Sequence, residues 1–329
     1  MMSDALLERL TYSPKHDQLA PIPWTKGLAP KPTGYTSSPN LPLPKADVVV
    51  LTYTSAEWMA LADVFTPSYH KELWVKYAEN WSQYSRQLTG RSPAKEAHCM
   101  GEYMLTQVGS KRVLVMHSQL HLATDAISLP LRQFFGQIIT EVEPSLFIDT
   151  GTAGGIGADI VEGDCIVGET LRFDCTGFLK DEPYAQESFP CTVDASSIDF
   201  SLAESLMKAN APALRPEASR DPVVVRGDVL TCDSFLFDDS DNTFGLRTYD
   251  PAAKCEEMDA SVLGLTAKDL GSDMCPFISI RSASDPQMSS SIGNVTAQKQ
   301  AASKIYLKYG YAAQVATLCA VWQVITQNS

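Results

Sequence analysis

The sequence predicts a single α/β domain, a central mixed and mostly parallel sheet flanked by helices, and three observations predict it. Short β-branched runs alternate with helical patterns over most of the 329 residues. These runs are apolar throughout, as strands covered on both faces are, rather than alternating. No sequence period repeats, which points to one domain instead of an array.

Along the chain, residues 1–45 read as a Pro-rich arm, with eight prolines from Pro14 to Pro44 favouring extended backbone over helix or sheet ladder. The arm fits either a poorly ordered terminus or a strap across a neighbouring subunit. The folded domain then takes residues 46–329. Its strands are expected at Val48 to Leu51, Val113 to Met116, Leu146 to Ile148, Cys165 to Val167, Val223 to Val225 and Phe277 to Ile280. Helical patterns cover Ala56 to Phe65, Ala126 to Val142, Ala253 to Leu270 and Ala301 to Ile325; in the last, Ile305, Tyr309, Ala312, Ala316 and Cys319 recur at helical spacing. Lys71 to Leu88 would place Trp74, Tyr77, Trp81 and Tyr84 on one helical face, a stripe suited to core packing or, alternatively, to a lid or subunit contact.

A formal charge of −13 would repel a phosphate backbone, so small ligands are expected and nucleic acid is not. The eight cysteines form no Cys-x-x-Cys pair and no zinc-like spacing, a scatter that suits a reducing compartment. His117 and His121 are four apart, but His117 falls at a strand end, so no metal or other cofactor is expected. Residues 1–10 lack the apolar run of a secretory signal, and no stretch holds eighteen uninterrupted apolar residues. A cytoplasmic protein with no membrane partner is the expectation.

Four stretches carry polar groups where α/β sheets gather ligands. Ile148 to Gly157 is a glycine-rich turn leaving a buried strand; it admits a ligand close to the backbone, or is only a tight turn. No helix is expected after it, which argues against a dinucleotide fold. Lys254 to Ala260 places acids at a predicted helix start, where they complement the macrodipole or accept hydrogen bonds from vicinal sugar hydroxyls. Ile278 to Asp285 runs from a buried strand into a polar cluster, although Asp285 before Pro286 also suits a helix N-cap. Thr54 and Glu57 have capping-box spacing just after the first strand.

In this order the stretches resemble the nucleoside phosphorylase superfamily, and within it the methylthioadenosine/S-adenosylhomocysteine nucleosidases, from about Val48 to the C-terminus. The resemblance rests on Leu51 to Leu61 with Glu57, Gly151-Thr152-Ala153-Gly154-Gly155 followed by Gly163-Asp164, Gly227-Asp228 with Asp233-Ser234-Phe235, Glu257-Met258-Asp259-Ala260, and Arg281-Ser282-Ala283-Ser284-Asp285. It implies a hydrolase cleaving the N-glycosidic bond of a purine, expected adenine, nucleoside. Asp285 would protonate N7 of the departing base and Glu57 would activate water. Phe235 would stack on the base, Leu236 would read its edge through the backbone, and Glu257, Met258 and Asp259 would grip the ribose. Ser118, Thr152, Ala153, Gly154 and Ser284 complete the implied substrate contacts, and a homodimer is implied as well.

The chemistry suits those residue types. Breaking C1′–N9 builds positive charge on the sugar and negative charge on the purine, so an acid at the base and a positioned water each lower the barrier, typically about 10²- to 10⁴-fold. An acid that keeps its proton near neutrality needs burial or a nearby negative charge; Phe235 is the expected shelter for Asp285. Phosphorolysis remains the alternative, with Arg132 as the phosphate contact, and a nucleoside-binding module without turnover is the third reading. Two positions depart from the family pattern: Asp259 replaces a Glu, and Gln119-Leu120-His121 replaces a glycine-rich turn.

Overall fold

The computed structural model describes residues 19–34, 37–125, 128–214 and 220–328. Eleven strands form one mixed sheet: β1 Lys31–Pro32, β2 Val48–Thr52, β3 Val75–Tyr77, β4 Gly101–Val108, β5 Lys111–Ser118, β6 Leu146–Gly155, β7 Cys165–Asp174, β8 Ser188–Pro190, β9 Val224–Cys232, β10 Ala253–Glu257 and β11 Phe277–Asp285. Two parallel blocks make its centre. In one, β5, β2, β6 and β11 lie side by side; in the other, β7, β9 and β10 do. Antiparallel contacts of β11 with β7 and of β10 with β6 join the blocks into a closed ring, β6-β10-β9-β7-β11.

The apolar runs explain the layering. In β2, Val48 and Val50 enter one core and Val49 and Leu51 the other, because strand side chains alternate between faces. One core packs under helices α1 Ser55–Phe65, α3 Ser201–Leu214 and α5 Val295–Gln327; the other packs under α2 Pro130–Val142 and α4 Ala260–Leu270. Helix α5 is buried all round from Gly310 to Ile325, well beyond the one face that its spacing suggested. Among the described residues no helix is long and apolar enough to cross a membrane.

All six expected strands form, several extending further than their apolar centres. Other expectations are corrected. Ala253 to Glu257 is strand β10, so the expected helix starts only at Ala260: pairing with both β6 and β9 outweighs the helix propensity of Ala, Lys and Glu. The aromatic stripe is not one helix. Lys71–Leu73 is a 3-10 turn, Val75–Tyr77 is β3 and Trp81–Tyr84 a single helical turn, yet Trp74, Tyr77 and Tyr84 are all buried in the cores. Helix α2 starts at Pro130, residues 126 and 127 lying outside the described residues. The glycine-rich turn is strand up to Gly155.

The part of the Pro-rich segment that is described packs on its own chain. Trp24 meets Trp322 edge-on at 5.2 Å, Trp322 Nε1 donates to the Leu28 carbonyl at 2.7 Å, and the Ala20 amide donates to Asn210. Lys31 and Pro32 do join the sheet ladder, at its edge against β4, where a proline's missing donor is tolerated.

Candidate active site

Glu57 sits one helical turn after β2. Both halves of the capping box are present: Thr54 Oγ1 accepts from the Glu57 amide, and Glu57 Oε2 accepts from the Thr54 amide at 2.9 Å. The same oxygen accepts from the Tyr53 amide at 3.0 Å and Thr52 Oγ1 at 2.8 Å. Oε1 reaches across to β6, taking the Thr152 amide at 2.8 Å and Thr152 Oγ1 at 2.6 Å. Burial alone would raise the pKa of this carboxyl; the donors of Thr152 and Thr54, with the Arg281 guanidinium, outweigh it and hold the group below its ordinary value.

Asp285 ends β11. A bulge between Ala283 and Asp285 shifts the register so that Asp285 lies beside Gly154 of β6. No helix starts at Pro286; the next helical turn is Ser290–Ile292, so the N-cap alternative fails. Ser284 Oγ lies 2.9 Å from Asp285 Oδ1 and 3.2 Å from the Ala153 carbonyl oxygen. Burial pushes the Asp285 pKa up to about 7, against the opposing pull of the Ser284 hydroxyl. Phe235, the expected shelter, is 39% exposed, with Lys299 Nζ 4.6 Å above its ring. Leu236 beside it is half-buried against a small apolar cluster that includes Ile156 and Leu230.

Beside Glu57, opposite Gly151 of β6, lies Arg281, fully buried. It pairs with Asp149, with Glu257 Oε2 at 3.0 Å and, through Nε, with Ser279 Oγ at 3.1 Å. Tyr53 OH donates to Asp149 Oδ1 at 2.5 Å. Gly151 makes room for this cluster: a Cβ there would lie 2.6 Å from an Arg281 nitrogen and 3.1 Å from Glu57 Oε1. Burial raises the pKa of both Asp149 and Glu257, with Arg281 opposing.

Glu257 therefore does not open a helix. It ends β10 and folds onto the start of α4, accepting from the Asp259 amide at 2.7 Å and the Ala260 amide at 2.9 Å. Met258 is half-buried between them. Asp259 accepts from the Leu122 amide at 2.8 Å and lies 3.4 Å from His121 Nδ1. The two departures from the family pattern thus touch each other: the shorter acid is tied to the loop that replaces the glycine-rich turn. Ser118 is turned inward, its hydroxyl exchanging hydrogen bonds with Leu120.

Thr152, Ala153 and Gly154 are the stretch of β6 that meets Glu57 at one end and the Ser284–Asp285 pair at the other. Thr152 and Gly154 are partly open while their neighbours Gly151, Ala153 and Gly155 are buried. Arg132, the expected phosphate contact, forms a two-pronged pair with Asp269 at 2.6 Å on both oxygens. Sequence reading gave no role to Tyr53 or Asp149, weighed Glu256 only among the acids of an expected helix start and His121 only as half of a rejected metal pair, and quoted Arg281 only as part of a motif. The signal for Arg281 was its setting, since a guanidinium directly after the buried run Phe277 to Ile280 demands buried carboxylates.

These features define an α/β protein whose acids gather at the carboxyl ends of strands, around a bare strip of glycine-rich backbone. The chain belongs to the phosphorylase superfamily, whose model matches residues 76–309. It is similar to the 5′-methylthioadenosine/S-adenosylhomocysteine nucleosidases of Listeria innocua, 26% identical over 188 residues, and of Shewanella halifaxensis, 27% identical over 188; each match covers 56% of this chain and 73% of the relative. Among solved structures, the nucleosidase of that name from Helicobacter pylori with a bound butyl-thio-DADMe-Immucillin-A aligns with a TM-score of 0.54 at 13% identity, covering 86% of this chain and 99% of the other. Futalosine hydrolase of Helicobacter pylori aligns with a TM-score of 0.51 at 14% identity, covering 85% and 97%. At such identities these structures share the fold.

Proposed function

We propose that this chain hydrolyses the N-glycosidic bond of a purine nucleoside, with adenine as the expected base. One observation carries the reading: two buried acids of opposite character share one stretch of β6. Glu57 is bonded to Thr152 and Asp285 stands beside Gly154, two residues on and about 7 Å along the strand. Glu57, held ionised, suits a base; Asp285, with a pKa of about 7, suits an acid. As C1′–N9 breaks, its electron pair moves onto the purine and Asp285 passes a proton to N7. Water bonds to C1′, becomes acidic as it does so, and gives its proton to Glu57. Free base and free sugar leave, and exchange with solvent resets both carboxyls.

The nucleosidase relatives support this reaction class. Water as acceptor is supported by the cations: Arg132 is tied to Asp269 and Arg281 to Asp149 and Glu257, while Glu57 repels an anion. In this reading residues 46–329 form the catalytic unit, and the homodimer expected from the resemblance is open to sedimentation analysis. The deciding experiment incubates the protein with adenosine, inosine, methylthioadenosine, S-adenosylhomocysteine and AMP, with and without phosphate, and separates the products. Free base with unphosphorylated sugar from an adenine nucleoside is expected. Sugar 1-phosphate formed only with phosphate would make it a phosphorylase, and binding without base release would make it a sensor.

A further inference from the structure

Gly154 has two acidic cross-strand neighbours, Glu256 on β10 and Asp285 on β11. Cross-strand neighbours send their side chains to the same face of a sheet, and Gly154 contributes none of its own. A Cβ on Gly154 would lie 2.0 Å from Glu256 Oε1 and 3.3 Å from Asp285 Oδ2, so both carboxyls lean into the space that a side chain would fill. Both are buried, at 6% and 7% exposure.

The charged groups acting on Glu256 are all acidic: Asp285, its chain neighbour Glu257 and Asp238 from the segment after β9. Arg281 is committed to Asp149 and Glu257, and Arg247 to Asp238. Two carboxylates this close, buried and without a cation of their own, cannot both be ionised near neutrality. We propose that Glu256 and Asp285 are an acid pair holding one proton between them over Gly154, with Glu256 the positioning residue that keeps Asp285 in its acid form for the departing base. The inference rests on the nucleosidase reading for its role, while the pair itself rests on geometry alone. Burial lifts both acids, Glu256 well above the ordinary range and Asp285 to about 7, and the charge of Asp285 lifts Glu256 further. Transfer of that proton to N7 leaves two negative charges side by side; their repulsion opposes loss of the proton to solvent, so the pair keeps it until the departing purine becomes basic enough to take it.

The test is the pH dependence of kcat/KM in wild type, Glu256→Gln and Glu256→Asp. The alkaline limb reports loss of the pair's last proton. Glu256→Gln removes the neighbouring charge, so this limb should move about one pH unit or more towards acid, with KM changed little. Glu256→Asp should restore part of the shift. An unmoved limb, or a change confined to KM, overturns the proposal. Infrared titration of the carboxyl C=O stretch reads the pair without turnover: the wild-type band should titrate at higher pH than in Glu256→Gln or Asp285→Asn. Identical titration in all three overturns the pair. If wild type releases no base from any nucleoside, the nucleosidase reading fails and the infrared titration still decides whether the pair exists.

Discussion

Five donors converge on the Glu57 carboxylate, two of them the Tyr53 and Thr54 amides of the turn that starts α1, so the capping box and the candidate base share one carboxylate through its Oε2. Local sequence offered these as rival explanations; the fold makes them one. Glu57→Gln would turn an amide NH2 towards those donors. It should lower stability by about 2 kcal/mol, measured by denaturant titration, and abolish base release while ligand binding stays detectable. Undiminished turnover would remove Glu57 from the mechanism. For Asp285, the folded pKa of about 7 lies above the unfolded carboxyl value of about 4. The folded state therefore keeps a proton that the unfolded state has lost, and the stability this contributes, complete below about pH 4, disappears as pH rises through 7. Asp285→Asn suffers no such loss, so its Tm advantage over wild type should widen between pH 5 and pH 8 in scanning calorimetry. A constant difference would contradict the raised pKa. The acids were legible in the sequence because they follow apolar strands. The cluster around Arg281 was not, because it is assembled from β2, β6, β10 and β11, far apart in the chain.

Among the elements, the apolar strands were legible and the polar ones were not. Gly101–Val108 carries Glu, Tyr, Thr and Gln and gave no strand signal, yet pairs with β5 along its whole length. Ala253–Glu257 has helix-forming residues and becomes a strand because β6 and β9 leave a place for one. Register mattered more than element type for the site. Without the bulge at the end of β11, Asp285 would fall opposite Gly155 and face the other side of the sheet. The segment from His121 to Asp125 is tied to the start of α4 through Asp259. Asp259→Ala should therefore speed hydrogen exchange at the Leu122 amide and raise KM more than it lowers kcat. Unchanged exchange would show that this contact does not hold the segment.

At the scale of the molecule, residues 19–32 clasp the outer side of α5 and the edge of β4, so part of the Pro-rich segment completes the fold of its own chain. Trp24→Ala should cost about 1–2 kcal/mol, seen as a lower Tm, and leave the rate of base release unchanged. A fall in rate at equal folded fraction would tie this segment to the site. The ring formed by β6, β10, β9, β7 and β11 carries a further consequence. A ring has no end strand from which to peel, and both Gly154 and Asp285 lie within it. Its amides should be among the last to acquire deuterium, exchanging only when the entire domain comes apart. If the acids act as proposed, the passage of small molecules to and from them falls to the surrounding connections, over a stretch of β6 held within the ring.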